Sequence, residues 1–337
     1  MKLLLVKTSS MGDVIHAFPA VTDMLAAHPG LTVDWLVEES FADVARLHPG
    51  VAEVIPVATR RWRKAPFSAA TRGEIAALSA RLRTAGYDRV LDMQGLVKSM
   101  WLARRAGRPV DGYAWGSMRE PIASLGYARR HRVPWAAHAI DRNRLLAAAA
   151  LGHAVDLDCL DWGLARGRPA GRTVMLLHGT SWPSKRWSTE AWIETARLLA
   201  AHGFVPTVTW ASAEEETVAR AIAAAEPAVV LLPKGRLADA AAAIAASAGA
   251  IGTDTGLTHL AVAWDRPTIA VFLSTVPDLT GPKGRQVEIV TATTACAPCR
   301  QRLCPKVAPG ETAPCTATVR PADVVARFLA LAEERQP

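Results

Sequence analysis

An acidic residue follows the first apolar segment of the chain. Residues 3–6 are apolar, and after Lys7 a polar, glycine-bearing stretch leads to Asp13. This order predicts a buried strand, a loop and the start of a helix, and ligands of parallel sheets bind outside the carboxyl ends of the strands. Asp13 could therefore act as a general base on a bound molecule. It could equally cap the helix, because a carboxylate in the first turn interacts well with the helix dipole.

A second group of polar residues follows strands expected in the second half of the chain. They are Thr180, Ser181 and Lys185 after strand 173–177, Glu215 after a strand ending at Trp210, and Asp254, Thr255, Gly256 and His259 after a later strand. Hydroxyl groups, a lysine and the N–H groups of a helix start favour an anion, and a carboxylate could hold ribose hydroxyls. The group predicts a nucleotide-diphosphate pocket, although each residue alone also fits a cap, a solvated helix face or a core histidine.

A basic stretch with an aromatic residue interrupts the first half. It contains Arg60, Arg61, Trp62, Arg63 and Lys64, and Arg119 follows later. A basic loop with an aromatic residue could bind nucleic acid, and it would equally suit a phosphate-bearing lipid or a sugar acid. A solvated positive loop without a partner is the remaining alternative.

Four of the five cysteines form a cluster. Cys296, Cys299, Cys304 and Cys315 are spaced C-x2-C-x4-C-x10-C, whereas Cys159 stands alone. The first spacing is typical of zinc ligands, but the second pair is loose. The cluster therefore leaves open a structural zinc site or a loop of reduced thiols, and no catalytic metal is expected.

Composition indicates a soluble protein with two cores. The chain has 337 residues, of which 50% are hydrophobic and 21% charged, and this length suffices for two domains. Residues 1–166 carry 22 Lys and Arg against 16 Asp and Glu, a net +6, whereas residues 167–337 carry 17 against 15, a net +2. An acidic partner is thus expected for the first half.

Targeting signals are weak. Apolar runs fall short of the roughly 18 residues that a membrane span needs, and the apolar run between Lys2 and Lys7 is too short for a signal peptide. A cytoplasmic location is therefore expected.

Strand and helix signals alternate along the whole chain, which predicts an α/β fold with mostly parallel, doubly wound sheets. A Gly-, Pro- and Arg-rich stretch at 166–172 predicts a linker. The expected domains are 1–165 and 173–318, and 319–337 form a C-terminal helix that could pack back on the first domain. Two α/β domains around a linker favour a ligand in the cleft between them.

Five motifs carry a resemblance to a known family. They are KTSSMGDV at 7–14, the basic stretch 60–67, DMQGLVKS at 92–99, REPIASL at 119–125 and DTGLTHL at 254–260. Together they resemble the type I lipopolysaccharide heptosyltransferases of glycosyltransferase family 9, and stretches 60–67 and 119–125 favour type I over type II. The resemblance implies the GT-B fold, with two Rossmann-like domains facing across a cleft.

The resemblance also implies an activity. It is the transfer of L-glycero-D-manno-heptose from ADP-heptose to the Kdo of Kdo-lipid A, with inversion and with neither metal nor cofactor. The implied location is peripheral, on the anionic cytoplasmic face of the inner membrane. Two alternatives remain: a family member that acts on the second heptose or another core acceptor, and a nucleotide-responsive protein that binds nucleic acid and is not an enzyme.

Roles for single residues follow from the matched motifs. The resemblance makes Asp13 the general base and Lys185 the group that neutralises the leaving diphosphate. The first domain is expected to bind the acceptor through Lys7, Ser10, Arg60, Arg61, Arg63, Lys64 and Arg119. The second domain is expected to bind ADP-heptose through Thr180, Ser181, Lys185, Glu215, Gly235, Asp254, Thr255, Gly256 and His259.

Overall fold

The chain forms two compact α/β units. The computed structural model describes residues 1–165, 167, 169, 171–308 and 311–333. The units are Met1–Leu164 and Ala165–Pro337. Residues 166, 168 and 170 of the expected linker and 334–337 of the expected C-terminal helix lie outside the described residues.

The first unit contains six strands and seven α-helices among the described residues. The strands are β1 (Lys2–Val6), β2 (Thr32–Glu38), β3 (Val51–Val57), β4 (Arg89–Asp92), β5 (Val110–Tyr113) and β6 (Arg129–His131). The helices are α1 (Met11–Ile15), α2 (Phe18–Ala27), α3 (Ala42–Ala45), α4 (Thr59–Lys64), α5 (Ala69–Thr84), α6 (Val97–Ala103) and α7 (Ala139–Leu151).

The sheet of this unit is parallel, with the strand order β3-β2-β1-β4-β5-β6. Its central strand β1 is built of apolar residues, and Leu3, Leu4, Leu5 and Val6 are fully buried. A strand covered on both faces needs such a continuous apolar run. The strand order reverses between β1 and β4, so the loops after these two strands open at the switch point where such sheets bind ligands.

The second unit repeats this plan. Its strands are β7 (Thr173–Leu177), β8 (Val205–Val208), β9 (Val230–Leu231), β10 (Gly249–Thr253), β11 (Thr268–Phe272) and β12 (Val287–Thr291). Its helices are α8 (Thr189–Ala201), α9 (Ala213–Ala225), α10 (Leu237–Ala246), α11 (Gly256–Ala263), α12 (Pro277–Thr280) and α13 (Pro321–Glu333). The order β12-β11-β10-β7-β8-β9 is that of the first sheet, with the switch point between β7 and β10. The predicted doubly wound parallel sheets are thus confirmed in both units.

One local prediction changes, and the packing of one further helix becomes visible. The basic stretch expected as a loop is helix α4, because Trp62 packs inward and is buried. The apolar face of α13 (Val324, Phe328 and Leu331) is part of the core of the second unit, and the ring centroid of Phe328 lies 5.5 Å from that of Phe204. The expected return of this helix to the first domain stays a prediction.

Candidate functional site

A glutamine ties together the two loops at the switch point of the first unit. Gln94 follows β4, and its Oε1 accepts hydrogen bonds from the N–H groups of Thr8 (2.9 Å) and Ser9 (3.0 Å) after β1. The Gln94 N–H in turn donates to Asp92 Oδ1 at 2.8 Å. The loop that leads to Asp13 is therefore held at the carboxyl edge of the sheet.

The Asp13 carboxylate is oriented through one of its two oxygens. Ser10 precedes α1 as its N-cap residue. Asp13 Oδ2 accepts both the Ser10 N–H (2.6 Å) and the Ser10 hydroxyl (2.9 Å). The capping interpretation is therefore correct for Oδ2. Asp13 is half-buried, and its Oδ1 accepts no hydrogen bond from the residues that the structure describes. The cap thus fixes a carboxylate whose other oxygen remains available to a ligand.

Lys98 of α6 lies near this carboxylate, and two arginines of α4 lie near Lys98. Lys98 of α6 donates from Nζ to Ser9 Oγ at 2.9 Å. Burial lowers the pKa of Lys98; Glu38 and Asp13 oppose this, whereas Arg60 and Arg63 lower the pKa further. These charges therefore share one neighbourhood, which suits an anionic ligand. Sequence reasoning assigned no role to Gln94 or Lys98, although both follow strand β4 within a quoted motif.

Lys7, expected to bind the acceptor, lies beneath this edge. Its side chain is buried, and Nζ donates to Met93 O (3.1 Å) and Asn143 Oδ1 (3.3 Å). Burial lowers the pKa of Lys7, and the nearby Asp13 opposes that effect. Its position favours electrostatic support of Asp13 from below over a contact with a ligand at the surface.

The basic residues of α4 divide into two kinds. Arg61 donates to both Glu74 oxygens, at 2.7 and 2.9 Å, and is therefore largely neutralised. Arg60, Arg63 and Lys64 are exposed, and none of them forms an ion pair with a described residue. Trp62 Nε1 donates to Glu74 Oε2 at 2.8 Å, so the ring is no platform for stacking bases.

Arg119 is also exposed and forms no ion pair within the described part of the chain. Its neighbour Glu120 is half-buried, and Glu120 Oε2 accepts the Val97 N–H at 2.8 Å. The guanidinium of Arg119 is therefore available to an acidic ligand.

An ion pair occupies the switch point of the second unit. Lys185 ends the 3-10 helix Pro183–Lys185 after β7, and Asp254 follows β10. Lys185 Nζ lies 2.6 Å from Asp254 Oδ2, which also accepts the Thr275 hydroxyl at 2.6 Å. Burial alone would raise the pKa of Asp254, but its hydrogen bonds from His259, Lys185 and Thr275 hold that pKa well below its usual range. Lys185 also lies 4.9 Å above the Trp182 ring.

A helix begins beside this ion pair. Thr255 is the N-cap residue of α11, Gly256 is its first residue, and no side chain caps the Thr255 end. The helix packs closely on β10: Thr258 Oγ1 lies where a Cβ on Gly252 would be. His259 Nε2 lies 3.9 Å from Asp254 Oδ1. Free N–H groups at a helix start favour an anion at this position.

The remaining expected donor residues lie at the ends of neighbouring strands. Thr180 Oγ1 donates to Asp254 O at 3.3 Å. Glu215 Oε2 caps α9 by accepting the Ala211 N–H at 2.8 Å. A Cβ on Gly179 would lie 2.6 Å from Glu215 Oε1, so Glu215 stands beside the loop after β7. Ser181 is exposed after β7 and Gly235 after β9.

Thr275, which holds Asp254, was not predicted. It comes soon after β11, which ends at Phe272, so the rule that found Asp254 also applies to it.

The cysteine cluster does not form a metal site in the structure. No group of three or more His, Cys, Asp or Glu side chains is placed to hold a metal among the described residues, and all five cysteines are free thiols. The zinc site and the loop of reduced thiols therefore both stay predictions. Within the described residues, no helix is both long enough and apolar enough to cross a bilayer.

Comparison with known proteins identifies the family of the chain. The family model of glycosyltransferase family 9 (heptosyltransferase) matches residues 75–308. Lipopolysaccharide heptosyltransferase 1 of Pseudomonas aeruginosa is 42% identical over 310 residues, covering 90% of this chain and 87% of the relative. The enzyme of the same name from Escherichia coli K12 is 41% identical over 299 residues, covering 87% and 94%.

Solved structures of heptosyltransferases also resemble this chain. The E. coli heptosyltransferase WaaC with ADP superposes with a TM-score of 0.87 at 36% identity, covering 98% of this chain and all of that one. WaaC with ADP-2-deoxy-2-fluoro heptose gives 0.81 at 40% identity, covering 87% and 94%. These likenesses confirm the expected GT-B fold class. The chain belongs to glycosyltransferase family 9, the heptosyltransferases.

Proposed function

We propose that the protein transfers L-glycero-D-manno-heptose from ADP-heptose to the Kdo of Kdo-lipid A, which is the first heptose step. The observation that carries this proposal is the Asp13 carboxylate, which keeps one free oxygen at an edge where Lys98 lies near it and Arg60 and Arg63 lie near Lys98. A sugar hydroxyl next to acidic groups needs both a base and positive charge around it. This edge of the first unit provides both.

The second unit is proposed to bind the donor. Lys185 is paired with Asp254 at 2.6 Å, but its ammonium has three donors, so together with the N–H groups at the start of α11 it can also bind a diphosphate. Glu215 lies beside the loop after β7, where it could bind ribose hydroxyls. The WaaC structure with ADP-2-deoxy-2-fluoro heptose supports such a ligand, since that protein has the same fold and 40% identity.

The reaction then needs one base and one cation. Asp13 Oδ1 takes the proton of the acceptor hydroxyl as its oxygen attacks the anomeric carbon. The bond from that carbon to the diphosphate oxygen breaks, and its electron pair stays on ADP, where Lys185 stabilises the new charge. A single displacement inverts the anomeric centre. General-base catalysis of this kind accelerates a reaction by roughly 100- to 10,000-fold. Because Lys185 and helix N–H groups provide the positive charge, we propose that no metal or cofactor is required.

Product analysis tests the proposal. The protein is mixed with ADP-heptose and Kdo-lipid A, and mass spectrometry should show one added heptose and equimolar ADP. Chelator should leave the rate unchanged. A product formed only from an acceptor that already carries heptose would assign the enzyme to the second step instead.

Absence of transfer to any core acceptor, together with tight and steeply salt-dependent nucleic-acid binding, would favour the non-enzyme alternative. The buried Trp62 argues against that outcome. We also propose that the enzyme works as a peripheral protein at the anionic cytoplasmic face of the inner membrane, where a lipid-anchored acceptor would be available.

A further inference from the structure

Exposed apolar side chains concentrate in one stretch of the first unit. Five large hydrophobic residues between positions 97 and 125 are 40–63% exposed. They are Val97, Trp101, Trp115, Ile122 and Leu125, here called the 97–125 patch. Single exposed apolar residues are ordinary on a protein surface, but a cluster of this kind marks an interaction site.

Local geometry brings the members of the patch together. Val97 and Trp101 are four residues apart on α6 and share a helix face. Ile122 and Leu125 are three residues apart in the 3-10 helix Pro121–Gly126, where side chains at this spacing eclipse. The two elements pack on each other, and so do this 3-10 helix and the one that contains Trp115. The Val97 N–H, for example, donates to Glu120 Oε2 at 2.8 Å.

Arginines accompany the patch: Arg105 contacts it, Arg104 and Arg108 follow α6 along the chain, and Arg119 precedes the 3-10 helix Pro121–Gly126. The Arg105 guanidinium lies 3.7 Å above the Trp101 ring. Arg104, Arg108 and Arg119 are exposed and form no ion pair with any residue in the described ranges.

The acidic residues of the same stretch are already engaged. Asp111 is buried, with Arg129 at 2.9 Å, and the Glu120 carboxylate is bonded to α6. The charges that stay unpaired within this stretch are therefore those of its arginines.

We infer that the 97–125 patch docks on the surface of an anionic lipid bilayer. Trp, Leu and Ile side chains with arginines beside them suit the boundary between acyl chains and headgroups, and the arginines complement anionic headgroups. A two-fold contact with a second copy would instead bring identical arginines face to face. The inference deepens the proposed function and rests on it for its purpose, since docking would hold the enzyme where its lipid-anchored acceptor lies.

Vesicle flotation tests the inference with the full-length protein. The wild type should float with phosphatidylglycerol-rich vesicles and much less with phosphatidylcholine vesicles. The double variant Ile122→Ser/Leu125→Ser should lose roughly tenfold or more in partitioning, because two apolar side chains no longer enter the interface. The matched control Leu303→Ser removes a side chain of equal exposure (62% against 63% for Leu125) from the other unit, and should partition like wild type.

A second variant tests the charge. Arg104→Gln/Arg108→Gln should weaken binding to phosphatidylglycerol-rich vesicles by roughly tenfold, with little change on phosphatidylcholine. This charge variant still tests the inference if the melting curve of the serine variant shows that it does not fold. Wild-type partitioning of a folded double variant of either kind would overturn the inference. So would a wild-type dimer in sedimentation equilibrium that the serine variant converts to monomer while vesicle binding persists.

The assay also separates this inference from the proposed function. Vesicle binding needs neither substrate, so docking without any heptose transfer would refute the function and leave the surface assigned. With a water-soluble Kdo acceptor that lacks acyl chains, the serine variant should turn over at the wild-type rate, because the patch acts only at a bilayer.

Discussion

Replacing Asp13 by Asn separates its two roles, the helix cap and the base. In Asp13→Asn the amide oxygen can still accept the Ser10 N–H and hydroxyl that Oδ2 accepts now at 2.6 and 2.9 Å. The amide NH₂ then takes the place of Oδ1, and it cannot accept a proton. The cap survives this substitution and the base does not.

The expected magnitudes differ enough to decide between the roles. Losing the negative charge near a helix start costs about 0.3–1 kcal/mol, and Asp13→Ala, which also removes the cap, costs about 0.5–2 kcal/mol. In a unit of this size about 1 kcal/mol lowers the melting temperature by roughly 2–4 °C. Loss of a general base should slow turnover by roughly 100- to 10,000-fold, or about 3–5 kcal/mol of activation barrier.

Two measurements on the same preparations check this prediction. Turnover is measured as ADP release at saturating ADP-heptose, and stability as the melting temperature. Asp239→Asn is the control, since it measures the stability cost of losing a capping carboxylate outside the candidate base. Asp239 Oδ2 accepts the Arg236 N–H at 2.7 Å in the same helical position of α10. The reasoning about Asp13 is refuted if Asp13→Asn keeps more than a tenth of wild-type turnover, or if only Asp13→Ala is impaired.

Further predictions concern the second unit and stability. Lys185→Met should reduce kcat/KM by roughly 100- to 1,000-fold and weaken ADP binding in calorimetry, and Lys185→Arg should recover part of both; unchanged ADP affinity in Lys185→Met would remove that lysine from the site. Gly252→Ala should lower stability by about 2 kcal/mol or more, because the new methyl overlaps Thr258. In contrast, Gly73→Ala, with open space around it in α5, should raise stability by about 0.5–1 kcal/mol; equal chemical-denaturation midpoints for the two variants would contradict both expectations. Burial lowers the pKa of His48 from 6.5 to about 4, so its protonation opposes folding. Above pH 6.5, His48 should not affect the free energy of unfolding. That free energy should then decline by about 2–3 kcal/mol as the pH falls from 6.5 towards 4. Melting curves of His48→Gln should show a shallower pH slope in this window than those of wild type.

Both sheets could be predicted because their signal is local. The strands at the two switch points, β1 and β7, are short apolar runs followed at once by polar loops, and all of their apolar residues are buried. Polar residues after such strands must lie at the carboxyl edge, which is why Asp13, Lys185 and Asp254 were found.

Other elements depend on contacts distant in sequence. Strands β5, β6 and β12 were not predicted, since β5 and β6 are short and polar, as in Arg129-Arg130-His131 of β6. Helix α4 was expected as a loop. Hydrogen bonds to residues outside its own sequence order this helix. Glu38 Oε1 accepts the backbone N–H of Arg60 at 3.1 Å, and Glu74 Oε2 accepts the indole Nε1–H of Trp62.

The sequence by itself thus determined the class of fold, the family and the edge of each sheet where chemistry can occur, because residue type and alternation are properties of neighbours along the chain. Only the tertiary structure decided which charges are free. Arg61 is paired with a glutamate 13 residues away, Lys7 is buried against α7, and Asp13 retains an open oxygen. Such outcomes depend on which side chains folding brings within hydrogen-bonding distance, and spacing along the chain does not contain that information.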